Sequence, residues 1–255
     1  SEEDALGFFP EAKAAFPDAL VFEYLDSSSL DILREKKRAD GAGSPLPPLP
    51  EAARAAIFFE IPYTEEDLDG RIAALAALLG RRHSSTALTW TGMEDAEREK
   101  VRLFRHALPE AVNAIVAKNQ RGCPAVHKMS TDLAVPGDKL FEMIGFYAEK
   151  LRAAKLPHAV FGHIGENHLH VNMLPRSEAE LALSRELALE FSRKAVSLGG
   201  TVSAEHGIGK LKHPYLEILY GKEGLQEMAG VKAALDPKGI LGRGNILPES
   251  YLPRL

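Results

Sequence analysis

At 255 residues, 45% apolar and 26% charged, the chain is long enough to bury a substantial core and has the balance of an ordinary globular protein. A formal charge of -5 leaves no basic excess to neutralise phosphates, which counts against nucleic acid as a partner. A lone cysteine, Cys123, excludes an internal disulfide framework, and no apolar run approaches the roughly 20 residues that span a bilayer.

The acidic start, Ser1-Glu2-Glu3-Asp4, lacks the basic-then-apolar order of a signal peptide, so the expectation is a cytoplasmic protein. Ala19 to Leu25 is short, apolar and β-rich and reads as a strand. Ser27 to Ser29 can cap a helix from Leu30 to about Ala39. The stretch from Gly41 to Pro50 holds four prolines and two glycines and reads as a surface loop inserted within one domain. A strand over Ala55 to Ile61 leads to a helix from Glu65 to Leu79 that stops at Gly80. Ala87 to Thr91 reads as a third strand. Helical sequence follows from Asp95 to about Lys118, with Pro109 as a break or restart. Ala125 to Val135 reads as extended, Asp138 to Ala154 as helix, and His158 to Ile164 and Leu169 to Leu174 as two strands around a polar turn. Glu178 to Leu198 is a long amphipathic helix stopped by Gly199-Gly200. Thr201 to Ser203 is extended, a glycine-rich loop follows, and helices near Tyr215 and over Leu225 to Ala234 precede an irregular tail. Few strands separated by long helices predict an α+β domain spanning 1–255, an antiparallel sheet with helices packed on one face. No Gly-x-Gly-x-x-Gly follows a first strand, so no dinucleotide-binding unit is expected.

Chemistry concentrates in Phe161-Gly-His-Ile-Gly-Glu-Asn-His-Leu-His-Val-Asn172. With Glu166-Asn167 at a hairpin tip, His163 would face His170 across the ladder, their Cβ atoms about 4.5–5.5 Å apart. Two imidazoles at that spacing can share one metal ion. Alternation puts His168, His170 and Asn172 on one face. A second cluster, Gly200-Thr-Val-Ser-Ala-Glu-His-Gly-Ile-Gly-Lys210, sets Glu205 and His206 in a turn beside a strand. Glu205 with His163 and His170 makes a two-histidine, one-carboxylate set that leaves positions open for substrate. His206 is then free to act as a base near neutral pH. Read singly, these residues are ordinary: a hydrogen-bonded histidine, or a solvated acid in a helix-capping loop.

The first segment resembles the Gly-His-x-Gly-Asp-Gly-Asn-Leu-His pattern, and the second the Ser-x-Glu-His-Gly-x-Gly pattern, of FAD-linked oxidases in the vanillyl-alcohol-oxidase superfamily. The likeness is to the D-lactate, D-2-hydroxyglutarate and glycolate dehydrogenase branch. Arg105 with Leu108-Pro109-Glu110, the run Lys128 to Pro136, and the run Leu235 to Leu241 resemble that branch as well. The resemblance covers essentially the whole chain but only the C-terminal half of such an enzyme, without its N-terminal FAD-binding domain.

It implies a ferredoxin-like cap domain in which His163, His170 and Glu205 bind zinc or manganese and His206 is the base. It places Asn172 near the substrate and makes Arg105 and Lys128 the cations that hold the substrate carboxylate. FAD would be the hydride acceptor, bound mainly by a separate domain or subunit. A quinone, electron-transfer flavoprotein, cytochrome or iron–sulfur subunit would take the electrons, with attachment to the inner membrane only through such a partner. The turn departs from the pattern: Glu166-Asn167-His168 replaces Asp-Gly-Asn, which makes His168 a third imidazole near the metal. So does the tail, where Gly242-Arg243-Gly244-Asn245 replaces Asn-Pro-Gly-Lys.

Two other readings compete. The chain could be a non-catalytic metal- or ligand-binding module, or a stand-alone zinc hydrolase using the same ligands, although no His-Glu-x-x-His helix supports the latter. Asp132 reads as a capping or turn residue and Trp90 as packed core. His83, His106, His127, His158 and His213 have no constellation around them.

Overall fold

A computed structural model describes residues 1–82, 84 and 89–252. In chain order the elements are α1 (Glu2–Ala15), β1 (Val21–Leu25), α2 (Ser27–Asp40), β2 (Ala56–Glu60), α3 (Leu68–Arg81), α4 (Asp95–Gly122), β3 (Met129–Ser130), α5 (Leu140–Ala154), β4 (His158–Gly162), β5 (His170–Met173), α6 (Glu178–Ser197) and α7 (His213–Leu235). The strands form one sheet in the order β2-β1-β4-β5-β3, every neighbouring pair antiparallel.

Period-two alternation divides the strand side chains between two faces. Phe22 and Tyr24 of β1, Val160 of β4, and Val171 and Met173 of β5 enter the main core with Phe8 and Phe9 of α1, Met143 and Tyr147 of α5, and Phe191 of α6. This face is fully covered by helices. The opposite face is covered at its β1–β4 side, where Leu25 and Ala159 meet Leu30 and Leu33 of α2 and Phe104, Leu108 and Val112 of α4. There β5 presents His170 and Asn172 instead of apolar residues. The exposed end of this second face is what positions the site.

Several expectations are corrected. No element is expected over residues 5–18, and helix α1, with Pro10 inside it, occupies most of that stretch. The helix forms nonetheless, started by a capping box between Ser1 and Asp4 and held by buried Phe8, Phe9 and Ala12. Helix α4 runs through Pro109 without a break, because Ala107, Leu108 and Val112 on either side are buried in the cluster that includes Leu25 and Ala159 of the sheet. Of the strand expected over 87–91, residues 87 and 88 lie outside the described residues, as does His83, and 89–91 are irregular. Trp90 packs edge-on against Phe104 yet stays 38% exposed, so it is not core. The loop after α2 is pinned rather than free: Leu46 is buried, and Arg34 donates to the Pro50 and Ala53 carbonyls. The helices near Tyr215 and Leu225 are joined through Gly221, whose φ of 68° breaks the helical path between them. Among the described residues no helix is long and apolar enough to cross a membrane.

Candidate functional site

The register of β4 and β5 differs from the expected one. Phe161, not His163, pairs with His170, because the connection is wider than a two-residue hairpin. After Gly162 the chain makes a short 3-10 turn over Ile164–Glu166, and Asn167 takes a left-handed conformation at φ 56°. Asparagine is among the few residues besides glycine that adopt this region readily, so the turn is kept. Gly162, at φ +140°, is required here: a Cβ would lie 3.1 Å from His170 Cδ2 and 3.2 Å from the His168 carbonyl. The wider turn still brings the rings together. The His163 and His170 centroids are 6.1 Å apart, and His168 and His170 are 4.4 Å apart.

The second cluster reaches this turn through the segment after β3. Ala134 bridges both His168 and Thr201, so residues 131–135 run between the two motifs as a splint. Asp132 fastens the loop. Its buried carboxylate accepts from the Glu205 N–H at 3.1 Å, the His206 N–H at 3.0 Å, Ser203 Oγ at 3.3 Å and Lys212 Nζ at 3.1 Å. Burial pushes the Asp132 pKa up, but these donors and the nearby His168 outweigh it and hold the carboxyl well below its usual range. The turn role expected for Asp132 is therefore present, as the clamp that aims Glu205.

Glu205 is the hub. Its oxygens lie 2.9 Å from His170 Nε2, 3.0 Å from His206 Nε2 and 3.5 Å from His163 Nε2. Each of the two inner histidines has its other nitrogen engaged: His170 Nδ1 with the Thr131 carbonyl at 2.9 Å, and His163 Nδ1 with Glu23 at 3.1 Å. A hydrogen bond at Nδ1 fixes the tautomer and aims Nε2, which is how metal-ligating imidazoles are held. The Glu23 bond raises the His163 pKa despite partial burial, whereas burial lowers that of His170. Burial pushes the Glu205 carboxyl up, but His163, His170 and His168 outweigh it and hold it below its usual value.

A divalent cation fits this donor set. His170 Nε2 and Glu205 Oε1 are two acceptors at contact distance once Nδ1 carries the proton. His168 Nε2 is buried and makes no hydrogen bond, although Asp132 lies 3.3 Å away. One ligand atom from each of Asp132, His168, His170 and Glu205 lies within 4.8 Å of the others.

The remaining expected residues divide. Arg105 of α4 pairs with Glu23 and so joins the site through Glu23 and His163. It also borders a small pocket with Phe58, Phe104, Leu108 and Phe161. Asn172 is buried beside His170 on the same face. His206 is the exposed imidazole of the cluster. Lys128 is not brought to the cluster; its ammonium reaches Asn113 Oδ1 at 3.4 Å. It does share the site's face, since Ser130, two residues on, pairs with Asn172. Glu23 was missed by sequence reasoning. Its signal was a carboxylate inside an apolar strand, Val21-Phe-Glu-Tyr-Leu25, where burial demands partners.

The model of the family described as FAD linked oxidases, C-terminal domain, matches residues 1–246. The chain belongs to this family. Over 237 residues this C-terminal domain is 26% identical to the glycolate oxidase subunit GlcD of Bacillus subtilis, an alignment covering 92% of this chain and 46% of the relative. It is 35% identical over 127 residues to the mitochondrial D-lactate dehydrogenase [cytochrome] of Arabidopsis thaliana (49% and 22% covered). It is 36% identical over 119 residues to the mitochondrial D-2-hydroxyglutarate dehydrogenase of Bos taurus (46% and 21%). The chain spans less than half the length of these relatives. The fold is shared with 4-ethylphenol oxidase from Gulosibacter chungangensis, at TM-score 0.53 and 16% identity over 90% of this chain and 48% of that one. The expected family and the α+β domain with an antiparallel sheet are both borne out.

Proposed function

We propose that this domain is the substrate- and metal-binding part of a flavin-dependent D-2-hydroxy-acid dehydrogenase, acting on an acid of the lactate, 2-hydroxyglutarate or glycolate type. The reading is carried by one observation: the Nε2 atoms of His163 and His170 converge on Glu205 while each Nδ1 is tied back, to Glu23 and to the Thr131 carbonyl. His163, His170 and Glu205 would hold zinc or manganese. Bound there, such a cation would polarise the α-hydroxyl of a chelating 2-hydroxy acid, and a flavin held by a partner domain or subunit would supply the acceptor for the C2 hydride.

The chain's own residues supply the rest. His206 is exposed beside Glu205 and can take the hydroxyl proton from the open side of the cluster. Loss of that proton and of the C2 hydride leaves the 2-oxo acid. Arg105 offers its two-pronged guanidinium to the substrate carboxylate while Glu23 orients it, and Lys128 adds positive charge along the same face. Asn172 gives a buried amide beside His170 that can bond the substrate. The domain organisation is that of one C-terminal unit over 1–255 working with a separate flavin-binding half. Electrons would then pass to a quinone, flavoprotein, cytochrome or iron–sulfur acceptor, in the cytoplasm or at the inner membrane through a partner.

Calorimetry of the chain with D-lactate, D-2-hydroxyglutarate and glycolate, with and without added Zn²⁺ or Mn²⁺, tests this. Metal-dependent binding of at least one acid, with L-lactate weaker than D-lactate, is expected. Failure of all three acids to bind in the presence of either metal would overturn the reading. Supplying a flavin-binding half and an artificial electron acceptor then separates oxidation from simple binding: turnover is expected, and binding without turnover would leave a non-catalytic module.

A further inference from the structure

His168 has no task in that reading, yet it is among the most enclosed polar groups in the domain. It is 3% exposed, its ring lies 4.4 Å from that of His170 and 5.7 Å from that of His163, and its Nε2 makes no hydrogen bond. A buried ring nitrogen without a partner costs free energy unless something binds it. The nearest group, Asp132, is already committed to two backbone N–H groups, a hydroxyl and an ammonium. His168 also stands within ligand range of His170 and Glu205, the two residues central to the proposed cation site.

We infer that His168 is a direct ligand of the bound cation, giving the chain three imidazoles, His163, His168 and His170, with the Glu205 carboxylate. The inference rests on the metal-site reading above and deepens it. Its consequence is selectivity. Imidazole-rich sets favour zinc, whereas manganese prefers oxygen donors. A third imidazole therefore turns a site open to either metal into one that prefers zinc.

The test uses the full chain stripped of metal and titrated with Zn²⁺ or Mn²⁺ against a chromophoric chelator. The parent should prefer zinc. His168→Asn should lose more zinc affinity than the roughly 10–100-fold that follows loss of an outer-shell partner, with a much smaller change for manganese. His168→Cys, which returns a zinc-binding atom, should recover zinc binding. Equal losses for both metals, or no loss, would overturn the inference and leave the two-histidine site standing. A parent that binds neither metal would overturn the site itself. A readout that needs no variant is proton NMR of the Co²⁺-loaded chain. Three hyperfine-shifted imidazole N–H signals are expected, and two would exclude His168.

Discussion

His170 Nε2 lies 2.9 Å from Glu205 Oε1 while His170 Nδ1 lies 2.9 Å from the Thr131 carbonyl oxygen. The carbonyl accepts only, so Nδ1 carries the proton and Nε2 presents a lone pair to a carboxylate. Burial lowers the His170 pKa, and the neighbouring histidines hold Glu205 low, so neither group readily keeps a proton between them. A contact of this kind is suited to a cation and poorly suited to its absence.

Glu205→Gln separates these two roles. Its amide can donate to His170 Nε2, so the metal-free chain should unfold within about 1 kcal/mol of the parent or slightly later, one hydrogen bond being worth roughly that. Metal binding should be lost. Denaturant unfolding and a zinc titration on the same preparations check both halves. A variant that unfolds much earlier would mean that Glu205 holds the loop rather than an ion.

Asp132 carries the opposite expectation. Its carboxylate gathers the Glu205 and His206 N–H groups, Ser203 and Lys212 in one buried place. Asp132→Asn should cost about 3 kcal/mol, because hydrogen bonds to a charged acceptor are worth roughly 1.5–3 kcal/mol and several are weakened together. The acid limb should change too. A carboxyl with a depressed folded pKa contributes stability that is full above its unfolded value, near 3.9, and is lost as pH falls through the folded one. Stability of the parent should therefore fall below about pH 4, and the Asn variant should show a flatter acid limb. Urea midpoints between pH 2 and pH 7 would reveal it, and parallel pH profiles would contradict it.

How much of this was visible beforehand depends on the kind of signal. The helices from Leu140 and Glu178 and the strands from His158 and His170 followed from periodicity and glycine punctuation, which are local. His163, His170, Glu205 and His206 followed from two dense motifs, and the structure brings all four together. The ladder register did not follow, because it depends on how many residues the turn consumes; the left-handed Asn167 sits in a turn wide enough to shift it by two residues. Glu23 and Asp132 were hidden for another reason. Each acts on residues more than 70 positions away, and nothing in Val21 to Leu25 or Thr131 to Val135 states which loop will meet it. No element is expected over residues 5–18, yet helix α1 forms there around Pro10, with buried Phe8 and Phe9 offsetting the hydrogen bond that the proline removes.

Proton competition at the cluster should be governed by Glu23. Its bond raises the His163 pKa above the ordinary value of about 6.5 while burial lowers that of His170, so of these two His163 protonates first as pH falls. Zinc affinity should begin to weaken near or above pH 6.5 on the way down. Glu23→Gln lowers the His163 pKa and should move this onset to more acid pH. It should also weaken binding at pH 8 by about 10–100-fold, because the ring loses the partner that orients it. A zinc affinity profile from pH 5 to pH 8 in both proteins tests the pair of shifts; an unmoved onset would remove His163 from the ligand set.

Gly162 gives the sharpest steric test. It ends β4 at φ +140°, with His170 Cδ2 and the His168 carbonyl beside the place a Cβ would occupy. Gly162→Ala must strain the backbone and push His170 at once. The backbone strain alone should cost on the order of 1–3 kcal/mol. The displacement should also turn His170 away from Glu205, so metal affinity should fall by more than lost stability explains. Gly43→Ala is the control: that glycine lies in an exposed loop with open space around it, and the change should leave both quantities alone. Denaturant midpoints and zinc titrations of the two variants, compared at equal folded fraction, decide the matter. Zinc affinity in Gly162→Ala equal to that of the parent would mean that the cluster tolerates movement of His170, and the close fit between strand end and ring would then serve packing alone.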